Sequence, residues 1–309
     1  MVDFVHIRNY VSSIDQHNRR TLMKKNKLKS ILATLCLSCM LLTGTHSIQA
    51  EATSTPQTTV PATENTGTPQ SPVPANANTW KTRKGYHYYY NAQGRKVTGK
   101  VKIGSRYYFF DKKGIQRYGW KKIKNNYYFF RISTGTTGAY MLTSTKVNGI
   151  SLNSSGRASK SGSNVRKLQL MTEANKIVEK ITKPGMNKTQ RLRACFDYVK
   201  KHYPYFTWRQ FRNTSDWEKD FAEDMFIRGR GDCISYASAF AYLANAVGMK
   251  KVYAVCSGGH GWAEINGKVY DPDWALVSNV DSYFAMPYSL SGVNGRPMYK
   301  GNRLYVKKI

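Results

Sequence analysis

Between residues 80 and 162 the chain repeats itself about every twenty residues, which limits the possible folds more than any other feature of the sequence. Aromatic clusters at Tyr88-Tyr89-Tyr90, Tyr107-Tyr108-Phe109-Phe110 and Tyr127-Tyr128-Phe129-Phe130 recur at offsets of 19 and 20. Gly94 and Gly114 follow the first two clusters, each with a second glycine five residues on, Gly99 and Gly119. Trp80 and Trp120 precede the first and third clusters in Lys-rich segments. Each unit reads as a β-hairpin: a short basic strand, a turn, an aromatic strand and a glycine turn. Such hairpins must stack to gain a core, and aromatic rings are what the stack can bury. A fourth unit, 146–162, lacks the aromatics and reads as degenerate.

Charge separates this region from the rest of the 309 residues. Residues 80–162 hold 18 Lys/Arg and one acid, Asp111, for a net of +17, whereas 163–309 carry +10 out of a total of +30. Such a field concentrates polyanions: nucleic acid, an anionic membrane surface, or the phosphate-rich polymers of a cell wall. The repeat units resemble the cell-wall/choline-binding repeat family, through the Trp-Lys start, the Tyr-Tyr-Phe strand and the spacing of Gly94 to Gly99 and Gly114 to Gly119. The resemblance implies attachment to an envelope surface, often through choline or glucan. It assigns polymer binding to Trp80, Tyr88, Tyr89, Tyr107, Tyr108, Trp120, Tyr127 and Tyr128. Aromatic cages attract quaternary ammonium, but a net of +17 repels a bare cation and favours a phosphate backbone. The expected partner is therefore an anionic, teichoic-acid-like wall polymer or a glycan.

The N-terminal segment fits export. Met23 is followed by Lys24, Lys25, Lys27 and Lys29, then an apolar stretch from Ile31 to Leu42, then small residues up to Ala50 and Ala52. That is the pattern of a secretory signal peptide, with Met23 the expected start, and its apolar stretch is shorter than the roughly 20 residues a spanning helix needs. Cys36 and Cys39 fall inside the signal and leave with it, so their C-x-x-C spacing carries no metal or redox reading. Residues 53–79 are Thr/Pro-rich without Lys or Arg and read as an extended tether. Export with a wall-binding module excludes a nucleic-acid partner and a membrane span, and places the protein outside the cell at the wall. Three cysteines remain, Cys195, Cys233 and Cys256, too few for a disulfide scaffold.

From residue 163 to 309 the pattern becomes that of an α+β domain. Leu170, Ala174, Ile177, Val178 and Ile181 form one helical stripe that ends at Pro184-Gly185. A second helix after Asn187 lines up Leu192, Cys195, Phe196 and Val199, which makes Cys195 a core residue. A third, from Cys233 to Val247 with Gly248 as its stop, carries no charged side chain and must be central. Strands follow at 251–256, 262–265 and 268–271, the last two joined by an Asn266-Gly267 hairpin turn.

Cys233 opens the central helix, where unpaired N–H groups and the helix dipole favour a thiolate. The domain holds two histidines, and His202, at the end of its helix, has a structural role there; His260, in a glycine-rich run at the sheet rim, is left as the base. Hairpin register puts both Asp271 and Asp273 on the His260 side of the sheet, and Pro272 interrupts the pairing before Asp273, which favours Asp271. Gly231-Asp232-Cys233, His260-Gly261-Trp262-Ala263-Glu264 and Tyr270-Asp271-Pro272 resemble the three motifs of the transglutaminase-like superfamily. The resemblance implies a papain-like core in which Cys233 is the nucleophile, His260 the acid/base and Asp271 its orienting partner. It implies acyl transfer through a thioester, by hydrolysis or by transfer to an amine, and does not say which. The leading expectation is a cysteine peptidase or amidase acting on wall peptides or surface proteins. A cross-linking acyltransferase and a non-catalytic adhesion protein are the alternatives. No cofactor or metal ion is called for. Cys256 is the rival nucleophile, and Trp208 and Gln210 are the candidate oxyanion side chains.

Overall fold

The computed structural model describes residues 74–309 apart from 76, 134, 163, 279 and 280. The expected signal peptide, with Cys36 and Cys39, and most of the 53–79 tether lie outside the described residues. Those described form one compact unit, and none of their helices is long and apolar enough to cross a membrane.

The repeats fold as stacked hairpins. Strand β1 (Thr79–Arg83) pairs with β2 (Tyr86–Tyr90), β3 (Gly99–Ile103) with β4 (Arg106–Phe110), and β6 (Gly119–Ile123) with β7 (Asn126–Phe130), while β5 (Gln116–Arg117) extends the second sheet. The register repeats, with Gly99 facing Phe110 and Gly119 facing Phe130. Trp80 meets Tyr108 edge-on at 5.1 Å and Phe109 meets Phe130 at 5.7 Å, so each hairpin packs on the next through rings. The fourth unit keeps the geometry without the rings. Its strands, β8 (Thr145–Val147) and β9 (Ile150–Leu152), bury Ile150 and Leu152 in place of aromatics.

Helices α1 (Asn164–Ile181), α2 (Lys188–His202), α3 (Trp217–Phe226) and α4 (Cys233–Val247) build the second half. The sequence cues set their ends. Asn187 and Gln190 form a reciprocal capping box at α2. At α4, Asp232 accepts from the backbone of Ile234 and Ser235, and Gly248 closes the helix at φ 92°. Every residue of α4 except Asn245 is buried. A five-stranded antiparallel sheet packs on it in the order β13 (Met286–Pro287), β12 (Lys268–Tyr270), β11 (Gly261–Ile265), β10 (Val252–Cys256), β14 (Tyr305–Lys308). The last short helix, α5 (Pro272–Val277), follows β12 directly.

The two halves share one interior. Lys121 on β6 is buried and paired with Glu179 on α1, and Tyr118 accepts a hydrogen bond from Arg191 on α2. Trp120 donates its indole N–H to Asn148 in the fourth hairpin turn, and Asn148 donates to Asn245 on α4, each at 3.1 Å. Gly119 permits this closeness: a Cβ there would lie 1.7 Å from Asn175 Oδ1, and its φ is +74°. Gly99, the same position one repeat earlier, has φ +75° and open space around it. Gly99→Ala therefore pays only left-handed strain of about 1–2 kcal/mol. Gly119→Ala adds an interior clash and should cost at least about 3 kcal/mol, read as the difference between the two variants' urea midpoints by circular dichroism.

Candidate active site

Cys233 lies at the first position of α4, 9% exposed, and its thiol donates to the carbonyl of Gly259 at 3.9 Å. His260 sits in the turn just before β11 rather than within a strand, with its backbone N–H donating to Ser257 Oγ. What brings the two residues together is Gly261. A Cβ on it would fall 2.7 Å from the Ile234 Cα, so only glycine lets β11 close on the first turn of α4.

The imidazole Nε2 donates to Asp271 Oδ2 at 2.6 Å, leaving Nδ1 as the nitrogen on the thiol side. Asp271 is fully buried and held from three directions. It caps α5 by accepting from Trp274 N–H, its own N–H donates to the Tyr283 carbonyl, and its Oδ2 also accepts from the Tyr299 hydroxyl at 2.7 Å. Asp273, on the first turn of α5, reaches the same site. Its carboxylate, a His260 ring nitrogen and Cys233 Sγ lie within 4.8 Å of one another, and one of its oxygens is buried without a hydrogen-bond partner.

The charges are coupled. Burial works against a charged His260, but the adjacent Asp271 charge and hydrogen bond, with the bond to Cys233, hold its pKa well above the ordinary histidine value. Burial pushes the Cys233 thiol up, while the His260 imidazole pulls it down and Asp273 and Asp232 push it further up. Burial beside Asp271 raises the Asp273 carboxyl to about 7, against a small opposing effect of His260. The favourable helix terminus expected at Cys233 is present, and burial opposes it. Thiolate, imidazole and carboxylate are also zinc ligands, but a carboxyl that keeps its proton to about pH 7 binds a cation poorly below that pH.

The other expectations divide. Cys256 is fully buried on β10 with its thiol pushed up to about 12, chiefly by burial, which removes it as a rival nucleophile. The Trp208 indole N–H is spent on the Arg230 carbonyl at 2.9 Å, so it is not aimed at Cys233, and Gln210 is exposed. Tyr205 is electrostatically coupled to the site: burial first, then Cys233, raises its phenol above the usual range. Tyr205 and Tyr299 carried no signal in the linear sequence, because each reaches the site through a loop. Of the eight repeat aromatics, Tyr108, Trp120, Tyr127 and Tyr128 are buried, and Tyr107 is 37% exposed. Lys96 covers the Tyr88 ring at 4.4 Å, and Lys100 lies over both Tyr107 and Tyr128 at 4.9 and 4.5 Å.

The structure thus brings a thiol on a helix terminus together with an imidazole–carboxylate pair on a sheet rim. Residues 175–275, within the α+β half, match the family model described as the transglutaminase-like superfamily. About a quarter of the chain is similar to solved structures. One is the choline binding domain of Spr1274 in Streptococcus pneumoniae, at 22% identity and TM-score 0.25 over 28% of this chain and 100% of that one. Another is CbpJ from Streptococcus pneumoniae, at 25% identity and TM-score 0.23 over 26% of each chain. A third is the modular Cpl-1 endolysin complexed with a peptidoglycan analogue, at 25% identity and TM-score 0.21 over 28% of this chain and 26% of that one. The chain thus spans about a quarter of the length of the last two. No curated protein matches it.

Two carboxylates beside one imidazole should act on the thiol with opposite signs. Asp271→Asn removes the main support of the imidazolium and should slow iodoacetamide alkylation of Cys233 at neutral pH; Asp273→Asn removes a repelling charge and should speed it. Because the folded chain holds the Asp273 proton up to about pH 7, whereas an unfolded aspartate releases it near ~3.9, wild-type stability falls as pH rises between those values. The stability gain of Asp273→Asn over wild type should therefore grow from about pH 4.5 to about pH 6, measured by urea unfolding.

Proposed function

We propose that this is an exported, wall-attached cysteine amidase or peptidase that works through a thioester on Cys233. The observation carrying this reading is the 2.6 Å bond from His260 Nε2 to a fully buried Asp271, with the thiol on the other side of the same ring. A proton shared between thiol and imidazole leaves a thiolate that attacks the acyl carbon of an amide. Asp271 holds the imidazolium in register, and His260 then donates its proton to the departing amine as the C–N bond breaks. Water, deprotonated by the same imidazole, attacks the thioester and releases the acid; a second amine in its place would give a cross-link. Asp271 acts through His260 and is a positioning residue. The Cys233 backbone N–H, at the head of α4, supports the oxyanion of the tetrahedral intermediate.

The hairpins serve as the wall anchor. Lysine ammonium groups already lie over Tyr88, Tyr107 and Tyr128, where a quaternary ammonium would have to sit. That occupancy and the +17 charge of residues 80–162 support an anionic wall polymer over choline. The substrate class follows from the address: peptides or proteins of the cell surface.

The decisive measurement is amide turnover on wall peptides by wild type beside Cys233→Ala and Asp271→Asn. Loss of turnover in the first and a drop of roughly 10²–10⁴-fold in kcat in the second are expected. Turnover that survives Cys233→Ala rules the thioester out. Added amine separates the outcomes, since incorporation without acid release identifies a transferase. Walls stripped of teichoic acid should bind the protein less well than intact ones, and undiminished binding overturns the polyanion anchor.

A further inference from the structure

A cavity of about 650 Å³, which Cys233 does not line, lies where the fourth hairpin meets the helical half. Its walls come from four separate stretches of chain: the hairpin turn with Asn148, Lys167 on α1, the α4 end with Asn245, Lys250 and Lys251, and Lys308 on β14. Two of the lysines, Lys250 and Lys251, follow the C-terminal end of α4, where the helix dipole favours cations. The dipole does not account for Lys167 or Lys308, which arrive from other elements. None of the four forms an ion pair among the described residues. Burial, joined by the charges of Lys219 and Lys308 and opposed by Glu218, depresses the Lys167 ammonium below the usual lysine range. Three of the four lysines are exposed and Lys167 is half-buried, so four cations line one concave surface, opposed at Lys167 by Glu218 and on the same wall by the Ile309 carboxylate; an entering anion relieves the repulsion that remains. Asn148 and Asn245 each use one amide N–H on a protein acceptor, Asn245 Oδ1 and an Ile309 oxygen, and each amide has a second to offer.

We propose that this cavity is a phosphate-binding site, formed by Lys167, Lys250, Lys251 and Lys308 with the Asn148 and Asn245 amides, that takes a phosphoryl group of an anionic polymer. Ammonium groups from different elements can surround one phosphate, and amide N–H groups complete its hydrogen bonds. The site adds a place of attachment to the anionic-polymer reading and rests on that reading only for the source of the phosphate. It does not depend on the thiol chemistry.

The test uses the full-length protein with two probes, inorganic phosphate and a glycerol-phosphate oligomer. Phosphate should slow acetylation of Lys167, Lys250, Lys251 and Lys308, followed by mass spectrometry, and leave the exposed Lys112 and Lys113 unaffected; equal effects at both sets overturn the site without any variant having to fold. By calorimetry, Lys250→Gln combined with Lys308→Gln should weaken binding of either probe by roughly tenfold or more. Lys112→Gln with Lys113→Gln, an equal loss of charge, should weaken it by less than about twofold. If inorganic phosphate binds here and the oligomer does not, the site stands and the polymer reading falls. If the oligomer binds but the cavity variant binds it as well as wild type does, the cavity is overturned and the polymer reading stands. Failure of both probes to bind overturns the cavity.

Discussion

The active site depends on one backbone contact, Gly261 of β11 lying against Ile234 in the first turn of α4. A side chain on Gly261 would push the sheet from the helix, and with it the imidazole from the thiol. The contact is affordable because α4 is uncharged and buried almost throughout, so sheet and helices can close on it from all sides. Buried polar groups near it have fixed partners. Asp232 is used up in capping α4 and bonding Ser235, and Asp271 in capping α5 and holding His260 and Tyr299. Asp273 and Ser238 are exceptions: Asp273 keeps an unpaired buried oxygen beside the ring, and the Ser238 hydroxyl is unpaired one turn on from Ile234. The raised pKa of Asp273 is the cost of its position.

In the repeat half the same rings serve two ends. Trp120 and Tyr127 belong to the interior they share with α1 and α4, while Tyr107 faces outward under Lys100. Family resemblance treats all eight aromatics alike, but packing separates them. The fourth unit, poor in aromatics, puts Ile150 and Leu152 into the interior shared with the helices, bonds α4 through the Asn148 amide and meets the third hairpin where Ala158 N–H donates to the Tyr127 carbonyl.

Local chemistry was legible in the sequence where a residue acts on near neighbours. Asn187 and Gly248 marked helix ends, and Asn266-Gly267 set the register that puts Ile265 opposite Lys268. The pairing stops at Tyr270, so Asp271 and Asp273 come to His260 from the cap and first turn of α5 and not from the strand that the register argument used. Helix α3 escaped notice although Trp217, Phe221 and Met225 recur at helical spacing, because Glu218, Lys219, Asp220, Glu223 and Asp224 interrupt the apolar pattern. Several of those charges are buried in pairs such as Asp224 with Arg209, a tertiary solution that composition hides. Strand β14 and Tyr299 were invisible for a different reason. Their roles exist only through partners more than 25 residues away, at β10 and Asp271.

The indole–amide–amide relay from Trp120 through Asn148 to Asn245 has a geometric consequence. It ties the aromatic hairpins directly to the helix that presents the thiol. On the proposed reading, a surface gripped by the former meets the latter at one standoff and one angle, so bonds lying off that circle stay uncut until the whole molecule lets go and lands again.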